Sequence, residues 1–344
     1  MRASPTAASA RRCGAGSIGS SPATGGSCGG SVAEPTPRVA ALLLNWRRAD
    51  LTLRCLQDLL AVRDEPMHVF VLDNGSGADE VARLRAGVAA AAAAGGPHGV
   101  ELAAWDENRG FTGGMNEGLR RAAALGVPFV LVLNNDLRLP PDFLRPLADA
   151  LANDPRLAAV GPTLLRADGM VWAQGGDRRL RPNGLALRGH GRAPAPTTAG
   201  PEDVGFLPCA CVLFRAEAVA AVGGFDDAYF MYWEDVDLCE RLRARGGRIV
   251  WLPWIRVVHD SGQSAGGNRS PARKFLMACN AVRHLRAHGA PLAWLAWLVC
   301  DVAAWPLSLV AGPRGAWAKL CGTLAGLRGH RAGAADVQRW LASR

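Results

Sequence analysis

The chain has 344 residues, 49% of them hydrophobic and 20% charged, which excludes wholesale disorder and gives enough length for a full core without disulfides. Its nine cysteines include no CxxC pair, so a zinc ribbon or thioredoxin-like motif is excluded, and the odd, scattered set fits reduced thiols in a cytosolic protein. The formal charge of +9 divides unevenly: residues 1–38 carry +3, residues 39–264 carry −3 and residues 265–344 carry +9, so a nucleic-acid groove across the central part is not expected.

Residues 1–37 are Ala, Ser, Gly, Thr, Pro and Arg without a hydrophobic run, and are expected to form a disordered tail. They contain no signal-peptide core; the Arg- and Ser-rich composition is transit-peptide-like or simply that of a tail. From residue 39 strands and helices alternate. VAALLLN (39–45) is a continuous apolar run suited to a strand buried on both faces. Asp50 is expected to cap a helix carrying Leu53, Leu56 and Leu60. HVFVLD (68–73) is the second strand, an Ala-rich helix covers 79–94, and a short strand lies near 100–105. A helix starts around Gly113-Gly114, PFVLVLN (128–134) is another buried strand, and helix 141–152 and a strand near 157–161 follow.

Residues 166–203 read as a hairpin or long surface loop. FLPCACVLF (206–214) resumes as a strand, a short helix ends at Gly223-Gly224, and residues 234–245 form a helix. IVWL (249–252) and IRVVH (255–259) are two short strands. The succession predicts an α/β domain with a mostly parallel central sheet flanked by helices, followed by a helical, basic, Trp-rich region.

Ligands of open α/β sheets bind beyond the carboxyl ends of the strands. Here those ends carry Asn45-Trp46, Asp73-Asn74-Gly75-Ser76, Asn134-Asn135-Asp136 and His259-Asp260. Asp136 is placed to ligate Mg2+ or Mn2+, and His259 is a candidate second ligand that suits Mn2+ better; a turn or a helix cap for the acid, and a structural role for the histidine, are the alternative readings. GFTGGMNEG (110–118) either lets backbone N–H groups approach a phosphate or permits tight packing. Glu234, Asp235 and Asp237 crowd a helix start behind Tyr229, Phe230, Tyr232 and Trp233. Acids favour that position in any helix, yet adjacent acids behind an aromatic wall also suit a general base, and Trp233 suits stacking on a sugar.

Six motifs occur in order: NW (45–46), VLDNGS (71–76), NRGFTGGMNEGL (108–119), LVLNND (131–136), GGFDDAYFMYWEDVDLCERLRARG (223–246) and VVHDSGQS (257–264). Together they resemble a family 2 glycosyltransferase with the GT-A (nucleotide-diphospho-sugar transferase) fold, of the rhamnosyltransferase-like branch. The resemblance covers 38–264 and leaves 265–344 as a C-terminal helical appendage. It implies that Asn45, Asp73 and Asn74 line the nucleoside pocket, and that Gly113, Gly114, Asn116, Asn134 and Asn135 lie along the nucleotide-sugar donor. It places Asp136, with His259, at a divalent cation (Mg2+ or Mn2+), the first Asp of the family's DxD motif being Asn134 here. Asp235 takes the position of the catalytic base and Glu234 that of an orienting acid, with Trp233, Tyr232 and Asp237 on the acceptor side. Cys209-Ala210-Cys211 stands where Gly-Ala-Cys is commoner, and thiol packing is expected. The implied activity is inverting transfer of a rhamnose-like sugar to a saccharide or polyprenyl-linked acceptor in cell-surface polysaccharide synthesis.

Three other readings are weighed. A sugar nucleotidyltransferase would use lysines on phosphates, and residues 39–264 contain none. A processive synthase would carry QxxRW and several spans, and no QxxRW occurs. A non-catalytic nucleotide-sugar-binding protein would not need the acids and His259 that are retained. The stretch 290–311 has one charge, Asp301, with Pro306 inside it. With Trp294, Trp297, Trp305 and Trp317 and the basic Arg314, Lys319, Arg328 and Arg331, it reads as an interfacial helix on an anionic membrane, or as a helix packed on the domain or a dimer partner. The expected location is cytoplasmic, peripheral on the inner face of the plasma membrane, with no nucleic-acid partner.

Overall fold

The structure, a computed structural model, describes residues 37–179, 184–260, 270–310 and 312–342. The expectation of a disordered tail falls on residues outside these, apart from residue 37, as does the SGQS end of the last motif. The described chain folds as one compact unit. Its strands and helices, in order, are β1 (Val39–Asn45), α1 (Ala49–Leu60), β2 (Met67–Asn74), α2 (Ala78–Ala94), β3 (Gly99–Trp105), α3 (Gly110–Leu125), β4 (Phe129–Leu133), β5 (Leu137–Arg138), α4 (Leu144–Asn153) and β6 (Leu157–Leu165). Then come β7 (Val171–Ala173), β8 (Gly176–Arg178), β9 (Leu185–Leu187), β10 (Glu202–Asp203), β11 (Cys211–Arg215), α5 (Ala216–Ala221), α6 (Glu234–Ala244) and β12 (Arg248–His259). The C-terminal part contains α7 (Pro271–His288), α8 (Pro291–Trp297), α9 (Leu307–Val310), α10 (Pro313–Leu327) and α11 (Ala334–Ala342).

The main sheet runs β10-β12-β6-β11-β4-β1-β2-β3. Pairs β1–β2, β1–β4, β2–β3 and β12–β6 are parallel, while β11 runs antiparallel between β4 and β6. The carboxyl ends of β1, β2, β4 and β12 therefore share one edge of the sheet. Alternation along β1 feeds both faces: Val39, Ala41 and Leu43 pack with α1, α2 and α4, and Ala40 and Leu42 pack with α3 and α6. At about 25 cal/mol per Å2 of apolar area removed from water, these two layers are the main stabilising term.

Three expectations are corrected. Asp50 lies inside the first turn of α1, beside Arg48, and makes no cap hydrogen bond. The two short strands expected at 249–252 and 255–259 are one strand, β12, whose register slips between Leu252 and Arg256. Pro253 lacks an N–H, so the ladder skips it rather than ending there. The run at 206–214 is extended strand only from Cys211. Within 166–203, β8 and β9 pair as the expected hairpin.

Candidate active site

A buried polar network occupies the carboxyl ends of β1 and β2. Asn45 Nδ2 donates to Asp73 Oδ1 at 2.7 Å, and both residues are fully buried. Asp73 Oδ2 accepts the Ser76 N–H at 3.1 Å, and Ser76 Oγ accepts the Arg47 N–H at 2.8 Å. Thr52 on α1 donates its hydroxyl to Asn45 Oδ1 at 2.6 Å and accepts from Asn135 Nδ2 at 2.9 Å. These bonds tie the ends of β1, β2 and β4 into one rigid rim, since a buried polar group is retained only when partnered. Asn74 shapes the adjoining loop: its amide donates to Gly110 O at 2.9 Å and its Oδ1 accepts the Arg109 N–H at 2.9 Å.

Beyond β4, Asp136 meets His259 from β12, with Nε2 and Oδ1 3.1 Å apart; the two are 1% and 5% exposed. The Asp136 carbonyl accepts the Asp260 N–H at 2.8 Å, and Trp172 packs edge-on against the imidazole at 4.5 Å. His259 Nδ1 is buried and has no hydrogen-bond partner among the described residues. One carboxylate and one imidazole brought together at the strand ends form a donor set that fits Mn2+ or Mg2+. A cavity of about 240 Å3 adjoins this pair, lined by Arg166, Ala167, Asp168, His259 and Asp260.

Among the described residues, one cluster brings three potential ligands close together, Asp237, His284 and His288. It lies behind α6 and already holds a cation, since Arg178 Nη1 is 3.1 Å from His284 Nε2 and pairs with Glu240 at 3.0 Å. Burial, with His288 and Arg178 nearby, also holds His284 neutral, its pKa pushed down to about 3. A larger cavity of about 570 Å3 opens near the amino end of β12; its arginines Arg188 and Arg248 are paired with Asp177 and Asp203.

The acidic pair sits at the start of α6. Burial pushes the Glu234 carboxyl well above its ordinary range, with the neighbouring Asp235 charge adding to the effect. Burial also raises Asp235, to about 6, opposed by N–H bonds from Val236 and Cys209. Burial and the neighbouring charge thus disfavour ionising both acids together, and Glu234 is the more strongly raised of the two, an arrangement in which one acid can donate a hydrogen bond while the other accepts a proton. Cys209-Ala210 ties Asp235 to the carboxyl end of β4: Cys209 N–H bonds Asp235, and Ala210 O accepts the Asn134 N–H at 2.9 Å. The thiols themselves are inert packing, Cys209 being pushed well up by burial and Cys211 to about 12.

The backbone entering α6 is strained. Tyr232 and Trp233 have φ of 72° and 75°, a left-handed conformation that costs bulky residues on the order of 1–3 kcal/mol each. Gly110 (φ 75°) lets α3 approach, since a Cβ there would lie 2.4 Å from Phe230 O.

Several expected site residues make structural contacts of their own. Gly114 is where α3 closes on the sheet, a Cβ falling 2.5 Å from Leu44 Cδ1, so tight packing is its role; Gly113 is confined only by Arg109 of its own helix. Asn116 is used up on the 225–227 turn, accepting the Phe225 N–H at 2.9 Å and donating to Phe225 O and Asp227. Trp233 is 5% exposed and packs on His284 at 4.8 Å, so its face is not open to a sugar. Asp237 is bound to Arg241 at 2.7 Å and His288 at 2.8 Å, and its job is to anchor α6. Tyr232 is half-buried beneath the Arg273 guanidinium, 5.0 Å from its ring centroid.

Sequence reasoning missed Thr52, Thr112 and Asn280. Thr52 had a visible signal, a hydroxyl on the apolar stripe shared with Cys55, Leu56 and Leu59. Thr112, whose hydroxyl donates to Tyr229 O at 2.6 Å, was hidden among the glycines of α3.

A mostly parallel sheet flanked by helices, with a polar rim and an Asp/His pair at its strand ends and an acid pair at the start of α6, has the GT-A fold of nucleotide-diphospho-sugar transferases. The glycosyltransferase like family 2 sequence model matches residues 37–275. The N-acetylglucosaminyl-diphospho-decaprenol L-rhamnosyltransferase of Mycobacterium tuberculosis is 32% identical over 266 residues, covering 70% of this chain and 83% of that one. The O-antigen biosynthesis protein RfbC of Myxococcus xanthus is 28% identical over 263 residues, 72% of this chain and 19% of RfbC. The mannosyltransferase PcManGT of Pyrobaculum calidifontis, solved with GDP-Man and Mn2+, superposes with a TM-score of 0.53 at 19% identity, covering 89% of this chain and 79% of that one, a likeness of fold. The chain belongs to glycosyltransferase family 2 and is a glycosyltransferase of the rhamnosyltransferase-like group.

Proposed function

We propose that the protein transfers L-rhamnose, or a closely similar sugar, from a nucleoside diphosphate to a hydroxyl of a lipid-linked saccharide during cell-surface polysaccharide synthesis, with inversion. The observation that carries this reading is the acid pair: Asp235 is half-buried, raised to about 6 and tethered through Cys209-Ala210 to the donor edge. A carboxylate with that affinity for protons is a competent base near neutral pH. Asp235 takes the acceptor hydroxyl proton as that oxygen bonds to the anomeric carbon. The carbon–oxygen bond to the diphosphate breaks in the same step, and its electron pair leaves on the diphosphate. Attack from the face opposite the leaving group inverts the anomeric configuration. Glu234, neutral, donates a hydrogen bond that orients the acceptor or Asp235.

Asp136 and His259 would hold a divalent cation, whose chemistry is to offset the charge developing on the diphosphate. The Pyrobaculum mannosyltransferase, solved in complex with GDP-Man and Mn2+, supports a divalent cation in this role. The Asn45–Asp73–Thr52–Asn135 rim would fix the nucleoside, and the decaprenol-linked acceptor named for the mycobacterial relative supports a lipid-linked acceptor here.

A lipid acceptor calls for a membrane seat, which the C-terminal helices would provide on the inner face of the plasma membrane. No helix among the described residues is long and apolar enough to cross a membrane. The apolar stretch is broken into α8, a π-helical turn (Leu298–Ala303) and α9, and Asp301 is turned inward to Lys319 at 2.6 Å. Leu292, Leu295, Leu298, Val299, Leu307 and Val310 are more than half exposed, at 51–91%, with Trp317 at 58%. Arg314, Arg328 and Arg331, which follow in the chain, are exposed, and each would contribute about 1 kcal/mol near anionic lipid.

The test is a panel of dTDP-, UDP- and GDP-sugars with and without Mn2+, read by thermal shift and by release of nucleoside diphosphate. The expected result is stabilisation by dTDP-rhamnose, strengthened by Mn2+, and turnover when a lipid-linked saccharide is added. Failure of every nucleotide-sugar to bind or turn over would overturn the reading.

A further inference from the structure

We infer that Asn280, on α7 and beyond the stretch that the family model matches, is a positioning residue for the catalytic base, so that α7 completes the active site. The inference rests on the role proposed for Asp235. Four successive carbonyls lead into the acid pair, and each is held by a donor from outside the segment. Tyr229 O accepts from the Thr112 hydroxyl at 2.6 Å, and Phe230 O from the Phe111 N–H at 2.7 Å. Met231 O and Tyr232 O both accept from Asn280 Nδ2, each at 2.9 Å. The segment is thus pinned from one side by the glycine-rich α3 and from the other by α7.

The Asn280 bonds fall where the backbone turns left-handed, at Tyr232 and Trp233, immediately before Glu234 and Asp235. A strained backbone persists only where its surroundings over-determine it. Asn280 is fully buried, and among the described residues its Oδ1 accepts no hydrogen bond. The NH2 group is therefore the end that matters, and a flipped amide would set its oxygen against two carbonyl oxygens. One and two turns further along the same face of α7, His284 packs on Trp233 at 4.8 Å and His288 bonds Asp237 at 2.8 Å. The stripe Asn280–His284–His288 touches the chain on both sides of the acid pair and fixes the direction in which Asp235 points.

The experiment uses the full chain with Asn280→Leu, which keeps the volume and removes the donors, and Asn280→Ser, which keeps one short donor. Steady-state transfer is measured with donor and acceptor varied in turn, below the melting temperature of each variant. Displacing a base by a fraction of an ångström is expected to lower kcat about 30-fold or more in the Leu variant, with the Ser variant between it and wild type. KM for the donor stays near the wild-type value, because the donor rim is untouched. A folded Leu variant with kcat within about threefold of wild type overturns the inference. Should the Leu variant not fold, wild-type kcat in the Ser variant overturns it equally. Absence of transfer by the wild type overturns the proposed function and this inference together, whereas wild-type transfer kept by the variants overturns this inference alone.

Discussion

Replacing Asp235 by Asn removes a charge while keeping the shape and the acceptor oxygen for the Val236 and Cys209 N–H groups, so its effects on chemistry and on folding have opposite signs. Burial raises the carboxyl from its ordinary 3.8 to about 6. A raised folded pKa means that the charged form is disfavoured by the fold. The stability that the protonated group contributes is complete below pH 4 and is lost as pH rises to about 6, leaving the wild type penalised at neutral pH. The change corresponds to an upper bound of ~3 kcal/mol, reduced to ~2 kcal/mol because Asp235 is only half-buried. Asn carries no such penalty. Thermal melts from pH 4 to pH 8 should show the variant more stable than wild type above pH 7 by about 2–5 °C, the gap closing toward pH 4. Transfer at pH 7.5 should fall by about a thousandfold while donor binding is retained. Equal melting temperatures at pH 8, or a gap that widens in acid, would refute the reasoning.

Asp136→Ala should lower transfer by about 100-fold and abolish the extra thermal stabilisation that Mn2+ gives in the presence of a nucleoside diphosphate. Gly114→Ala places a methyl 2.5 Å from Leu44 Cδ1, the end of a half-buried side chain that can turn aside, and chemical denaturation should show a change of no more than about 1 kcal/mol. Lys319→Met removes an ammonium held 2.6 Å from the buried Asp301 carboxylate; chemical denaturation should show a loss of about 1–3 kcal/mol. Full-length protein should sediment with anionic vesicles and lose that binding when Leu295, Val299 and Leu307 are changed to Ser; equal sedimentation would remove the membrane seat.

The apolar runs at 39–45, 68–73 and 128–134 were legible as buried strands because nothing else explains short continuous hydrophobic stretches between helical repeats, and the polar residues after them do lie together at one edge of the sheet. The same runs carry no sign of direction, which is why the antiparallel course of β11 could not be read. Pro253 suggested a break that the sheet absorbs as a register slip. The acid pair was legible, but the aromatics before it were not: Trp233 reads equally as a sugar platform or as core, and the choice is made by His284, which lies 51 residues away in sequence. Asp237 shows the same limit. Its bond to Arg241, four residues on, was visible in principle, whereas its bond to His288 depends on how α7 folds back. Asn280 carried no local signal, since a lone Asn in a helix acquires meaning only from the carbonyls it meets.

The most direct test of a single displacement driven by Asp235 is the anomeric configuration of the new linkage, read by NMR on the product of transfer from a nucleotide-sugar of known configuration. Inversion relative to the donor is the predicted result. Retention would contradict the account, because it requires a second displacement or a same-face path that a lone base at Asp235 does not provide.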